Sequence, residues 1–248
     1  MTEPLPVPTL FVTATDTEVG KTALAAGLAA LLARRGRNVG VMKPFASGCQ
    51  DVEGRLVSAD GLCLARAAGT DDPHHLICPV RLRHPLAPVA AAELEGRTLD
   101  LAPVHHAAQE LARRHDSLIV EGIGGIMVPL CGDRLVADLA VEFGAPLLIV
   151  ARAGLGTINH SLLTVAYARS RGLDVAALLL NSPAASAGGP AEQTNPAVIT
   201  RYADGVPVLG PMDHVGGVSV ERAELGDLPD RLAALDGVDR LIADVFSI

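Results

Sequence analysis

Residues 15–22 read Thr-Asp-Thr-Glu-Val-Gly-Lys-Thr and end in the Gly-Lys-Thr triplet of phosphate-binding loops. The usual pattern places a glycine five positions before the second one, and here Thr15 stands there. Context favours phosphate chemistry all the same. An apolar run, TLFVT (9–13), precedes the loop, and TALAAGLAALLARRG (22–36) follows it. A loop leaving a strand for a helix turns its amides and the helix N-terminus toward one space, where roughly half a positive charge meets an anion. Lys21 adds a full charge suited to β- and γ-phosphates, and the Thr22 hydroxyl is placed to ligate magnesium. Glu18 is out of character, because a carboxylate in such a loop repels phosphate unless it points away or faces a cation.

Other residues fall where strands should end. Lys43 follows RNVGVM (37–42) and precedes Pro44, which imposes an extended backbone; position alone leaves it open between a crevice and a solvated surface. Glu121 closes DSLIVE (116–121) and leads into Gly122-Ile123-Gly124-Gly125, whose glycines allow close backbone approach to a ligand. GTINH (156–160) opens a helix after APLLIVA (145–151), with Thr157 the expected N-cap and free amides able to hold a carboxylate. Asn181 ends DVAALLLN (174–181), and its amide offers adenine both a donor and an acceptor. Asp60, in LVSADGLCLA, reads on its own as a helix-surface or capping carboxylate. The pairs His74-His75 and His105-His106 point to different faces and read as surface residues, not metal sites.

These residues need a frame. Short apolar runs alternate with alanine- and leucine-rich stretches, the pattern of parallel strands joined by crossover helices. The apolar runs quoted above, with GVPVLG (205–210), read as strands; residues 22–36, 58–69, 99–115 and 157–172 read as helices, and a closing helix is expected from 228. The segment 182–192, SPAASAGGPAE, reads as a mobile loop. The length of 248 residues suits one large α/β domain, 1–248.

Composition narrows the partners. A formal charge of −8 argues against nucleic acid and anionic membranes, which select basic surfaces. Cys49, Cys63, Cys78 and Cys131 form no CxxC pair and read as small buried hydrophobes in a reducing compartment. MTEPLPVP lacks a basic region followed by an apolar run, and no stretch nears about 18 apolar residues, so a cytoplasmic location is expected.

TDTEVGKT (15–22), MKPFASG (42–48), VEGIGG (120–125) and GTINHSLLT (156–164), in this order, closely resemble the dethiobiotin synthetase family. The resemblance runs from about residue 9 to 181 and weakens beyond; TDTEVGKT and the Lys-Pro pair are its specific parts. It implies a P-loop NTPase-like fold with a doubly wound, mostly parallel sheet flanked by helices. It implies a homodimer that uses ATP, Mg2+, carbon dioxide and diaminopelargonate. Lys43 and Lys21 match catalytic positions. Nucleotide contacts are implied for Glu18, Val19, Gly20, Lys21, Thr22, Ala23, Asp60, Glu121, Gly122, Ile123, Gly124, Asn181 and Ser182. Substrate contacts are implied for Ser47, Gly156, Thr157 and Asn159, and metal ligation for Thr22, Asp60 and Glu121. The family loop is one residue longer than the standard pattern, and its first glycine falls at Ala14, which fits only with negative φ. After Asn181 the match fails: Asp213 stands in place of a proline, and the partner subunit's tyrosine has no clear counterpart. Related amidoligases would carry a glutaminase domain; partition-type switches would carry an early loop lysine and a basic surface. An inactive nucleotide-binding relative is a further alternative.

Overall fold

A computed structural model describes residues 4–184 and 188–247. Among these residues twelve strands form in chain order: β1 (Thr9–Ala14), β2 (Val39–Met42), β3 (Phe45–Ala46), β4 (Gln50–Val52), β5 (Arg55–Val57), β6 (Val80–Arg81), β7 (Ser117–Glu121), β8 (Pro129–Cys131), β9 (Arg134–Leu135), β10 (Leu147–Arg152), β11 (Val175–Asn181) and β12 (Val208–Met212). The helices are α1 (Lys21–Arg34), α2 (Ala59–Ala68), α3 (His74–Ile77), α4 (Pro88–Leu94), α5 (Ala102–Arg114), α6 (Val136–Phe143), α7 (Thr157–Ser170), α8 (Pro190–Tyr202), α9 (Leu228–Ala233) and α10 (Val238–Phe246).

Six strands make one sheet in the order β12-β11-β10-β1-β7-β2, every pair parallel. Their near-continuous hydrophobicity follows from burial on both faces. Side chains still alternate: Leu10, Val12, Leu148 and Val150 join the layer packed by α1, α9 and α10. Phe11, Leu147 and Ile149 join the opposite layer, packed by α5, α6 and α7. Parallel strands put all their C-terminal ends on one edge, where open α/β sheets bind ligands. The loop after β1, Lys43 after β2, Glu121 ending β7 and Asn181 ending β11 therefore share that edge.

The expected frame differs from this one at several points. The segment 182–192 is not wholly a loop, because α8 starts at Pro190, with Pro at its first turn and Glu192 Oε2 accepting the Gly189 N–H at 2.8 Å; residues 185–187 lie outside the described part. The strand expected at 205–210 is displaced to Val208–Met212. The closing helix is two helices, broken before Gly237 at φ 88. Helix α6 and the hairpins β4-β5 and β8-β9 were too short to show a period. His74 is half-buried, its Nε2 accepting the Ser58 N–H at 3.2 Å, and His105 stacks edge-on against Phe143, so neither is a plain surface residue. Cys49, Cys63 and Cys78 are buried, while Cys131 is half-buried.

Candidate active site

The loop between β1 and α1 is held from both sides. Arg152 donates to the Thr17 carbonyl at 3.1 Å and pairs with Asp16 at 3.4 Å, while Asn181 Nδ2 donates to the Val19 carbonyl at 2.8 Å. Gly20 is the N-cap of α1 at φ 92, with no side chain capping the helix and no acidic residue in its first turn. The orphan amides at that end are thus left for an anion.

Ala14 ends β1, pairs with Val150 and is absent from the left-handed residues, as its expected negative φ requires. Besides Gly20, the left-handed residue of the loop is Glu18, at φ 56. Its exposed side chain borders the cavity below. Replacing Ala14 with glycine is expected to lower stability by about 0.5–1 kcal/mol through chain entropy and leave turnover within about twofold. Thermal melting with a turnover assay checks this; a large gain in turnover would show that Ala14 distorts the loop.

A cavity of about 390 Å³ opens in front of the loop, lined by Glu18, Gly20, Lys21, Thr22 and Ala23 together with Lys43, Ser47, Asp60, Glu121, Ile123 and Gly124. Lys43 Nζ lies 2.6 Å from Glu121 Oε1, 2.8 Å from Asp60 Oδ2 and 3.4 Å from the Gly122 carbonyl. Thr22 Oγ1 donates to the same Glu121 oxygen at 2.7 Å. Glu121 has no exposed surface and Lys43 is 3% exposed, so the ion pair is dry.

Burial pulls the Lys43 ammonium down, yet Asp60 and Glu121 outweigh it and hold it above the ordinary lysine range. For Asp60 burial acts upward, and the Lys43 charge overrides it to hold the carboxyl below its usual value. Among the described residues Lys21 has no such ion-pair partner. Burial first, and then the Lys43 charge, lower it to about 8. That is the signature of a buried cation short of an anion.

Thr22, Asp60 and Glu121 are hard oxygen donors around one point, and among the described residues the buried Glu121 Oε2 has no hydrogen-bond partner. This set fits a magnesium ion, which takes few protein ligands and keeps several waters.

A smaller cavity of about 120 Å³ shares Gly20, Ala23 and Pro183 with the first and is lined further by Leu24, Asn181, Ser182, Asp213, His214, Val215 and Val218. Its size and apolar walls suit an adenine ring. Pro183 follows Asn181 out of β11, while His214 and Val215 carry no recognisable sequence signal, since only the return of the chain after β12 brings them here.

Three expected residues contribute differently. Val19 is buried and offers only its backbone. Gly122 is also buried and lines neither cavity; a Cβ there would meet Phe11 at 2.9 Å, and its carbonyl faces Lys43 Nζ at 3.4 Å. Asn181 commits one N–H to the loop, so its role is at least partly to hold Val19.

Gly156, Thr157 and Asn159 line neither cavity. Gly156, at φ 92, is the N-cap of α7, whereas Thr157 is buried one residue inside with its hydroxyl 3.3 Å from Ser161 Oγ. The expected Thr157 cap is thus corrected: a threonine disfavours the left-handed turn that glycine adopts here. Asn159 is exposed. The turn before Gly156 is pinned by Asn195 of α8, which is 4% exposed and donates to the carbonyls of Ala153 at 2.8 Å and Gly154 at 3.0 Å. Asn195→Ala is expected to cost about 1–3 kcal/mol by orphaning the buried Ala153 carbonyl, while the Gly154 carbonyl keeps the Thr157 N–H, and the loss is read as a lower urea midpoint. An unchanged midpoint would mean that water replaces the amide.

A parallel α/β sheet with this loop at its strand ends defines a P-loop NTPase-like protein. A family model described as an AAA domain matches residues 8–222. The MinC:MinD cell division protein complex of Aquifex aeolicus superimposes with a TM-score of 0.55 at 14% identity, covering 96% of each chain, a likeness of fold alone. The ATP-dependent dethiobiotin synthetase BioD of Bacillus subtilis subsp. natto is 43% identical over 211 residues, 85% of this chain and 89% of that protein. The enzyme of the same name from Anaeromyxobacter dehalogenans strain 2CP-C is 48% identical over 172 residues, 69% and 75% of the two chains. The chain belongs to the ATP-dependent dethiobiotin synthetases, ligases of biotin biosynthesis that take ATP as co-substrate. Among the described residues, no helix is long and apolar enough to cross a membrane.

Proposed function

We propose that this chain, as a single synthetase domain, makes dethiobiotin from diaminopelargonate and carbon dioxide with hydrolysis of ATP to ADP and phosphate. The supporting observation is the convergence of Lys21, Thr22, Lys43, Asp60 and Glu121, from four separate parts of the chain, on one cavity at the strand ends. In the reaction one amine of the substrate adds to carbon dioxide, giving a carbamate and releasing a proton. A carbamate oxygen then takes the γ-phosphoryl group, leaving ADP. The second amine attacks the carbonyl carbon of the mixed anhydride, the ring closes and inorganic phosphate departs.

The protein's part is positioning and charge neutralisation. The uncapped first turn of α1 and Lys21 hold the β- and γ-phosphates, and the phosphates restore to Lys21 the countercharge it lacks. Thr22, Asp60 and Glu121 would hold magnesium, which when bound supplies positive charge to the phosphate oxygens. Lys43, held at the wall of the same cavity by Asp60 and Glu121, would steady the carbamate and the transferring phosphoryl group. Ser47, at the same cavity wall, orients the diamine. Gly156, Thr157 and Asn159 reach the substrate tail only from a second copy of the chain, so this reading includes a homodimer. Thr157 would act there through its backbone amide, since its side chain is buried.

The test is phosphate release with ATP, magnesium and bicarbonate, with and without diaminopelargonate, followed by mass detection of dethiobiotin. Release should depend on the diamine and match the product mole for mole. Release indifferent to the diamine would rule the reading out.

A further inference from the structure

In a chain of net charge −8, one cavity departs from the rest. It lies between the hairpin β4-β5, α2, α3 and β6, measures about 640 Å³, and shares no lining residue with the cavity at the phosphate loop. Arg55, Arg81 and Arg97 line it with His74 and His75, and no carboxylate does. Arg97 is engaged, donating to the Arg81 carbonyl at 2.7 Å and pairing with Glu95 at 3.2 Å. Among the described residues neither Arg55 nor Arg81 has an ion-pair partner; Asp51, on the facing strand of the hairpin, pairs instead with Arg83 at 2.8 Å.

Two arginines lining one cavity without a countercharge repel each other unless an anion sits between them. Their planar forks match the paired oxygens of carboxylate and phosphate. The volume falls in the range of small-molecule sites, roughly 300–1,000 Å³. We propose that this pocket binds a small polyanion, a molecule carrying two or more phosphate or carboxylate groups, independently of the ATP site. Its wall is also joined to that site. His74 Nε2 accepts the Ser58 N–H, Ser58 Oγ accepts the Gly61 N–H at 3.1 Å and so caps α2, and α2 carries Asp60.

The test is calorimetric titration of the full chain with pyrophosphate and, separately, with citrate, at low salt and without divalent metal. Lys21→Ala serves as the background, so that binding at the phosphate loop is weakened. Saturable binding of either probe is expected, and it should weaken at least about tenfold when Arg55→Ala and Arg81→Ala are added. Binding of pyrophosphate alone assigns a phosphorylated ligand, and binding of citrate alone a polycarboxylate. In the otherwise native chain the two arginine substitutions should leave ATP affinity unchanged. No saturation by either probe up to about 10 mM, or equal affinity with and without the two arginines, would overturn the proposal.

Discussion

Lys43→Ala is expected to lower turnover by about 100- to 1,000-fold, the cost of losing one preorganised charge at a transferring phosphoryl group. It should also destabilise the fold. Lys43 is the countercharge of Glu121, which has no exposed surface, and removing one partner of a buried pair costs about 3–5 kcal/mol. Turnover and stability can be separated by adding Glu121→Gln, which removes the orphaned charge; Asp60, with 34% of its side chain exposed, can be solvated. The double variant should recover most of the urea midpoint lost by the single one while turnover stays low. A Lys43→Ala protein with native turnover would remove this lysine from the chemistry, and native stability would show that the Glu121 pair is not dry.

Gly20→Ala is expected to abolish measurable ATP binding, weakening it at least about 100-fold. Gly20 sits at φ 92, and an added Cβ would lie 2.3 Å from Asn181 Nδ2. The left-handed backbone costs an L-residue about 1–2 kcal/mol. Pushing Asn181 away also breaks its bond to the Val19 carbonyl, roughly another 1–3 kcal/mol for a buried group left unpaired. Relieving both requires the loop to move, and the amides at the start of α1 move with it. Titration with an ATP analogue and a melting curve check this. Asn181→Ala is the control: it removes the clash partner, so Gly20→Ala/Asn181→Ala should lose less than the sum of the two single losses. Native affinity in Gly20→Ala would mean that the loop does not need this conformation to hold phosphate.

Much of the fold could be read along the chain because its strands are buried on both faces. An unbroken run such as LLIVA in β10 marks itself, and an alanine- and leucine-rich stretch such as α1 marks a crossover helix. Short elements could not be read this way: α6 spans two turns, and β8-β9 offers too few residues for a period. Helix α8 was hidden for a different reason. Its start, Pro-Ala-Glu, follows a run of small residues and glycines, and what commits it to a helix is Glu192 capping the Gly189 amide and Asn195 reaching the turn before α7.

By itself the sequence determined that this chain carries a phosphate loop between a buried strand and a helix, with lysines and carboxylates at the ends of other strands. Those are local properties, set by residue type, spacing and hydrophobic period. Only the tertiary structure decided which of those residues meet. Parallel strand order puts β1 between β10 and β7 and places β2 beyond β7, so Lys43 can reach across to Glu121, while Asn181 arrives from the other side to hold the loop. The same packing made Glu18, not Ala14, the left-handed non-glycine residue of the loop and left no room for a Cβ between Gly122 and Phe11. Such assignments depend on neighbours distant in sequence, and no local pattern contains them.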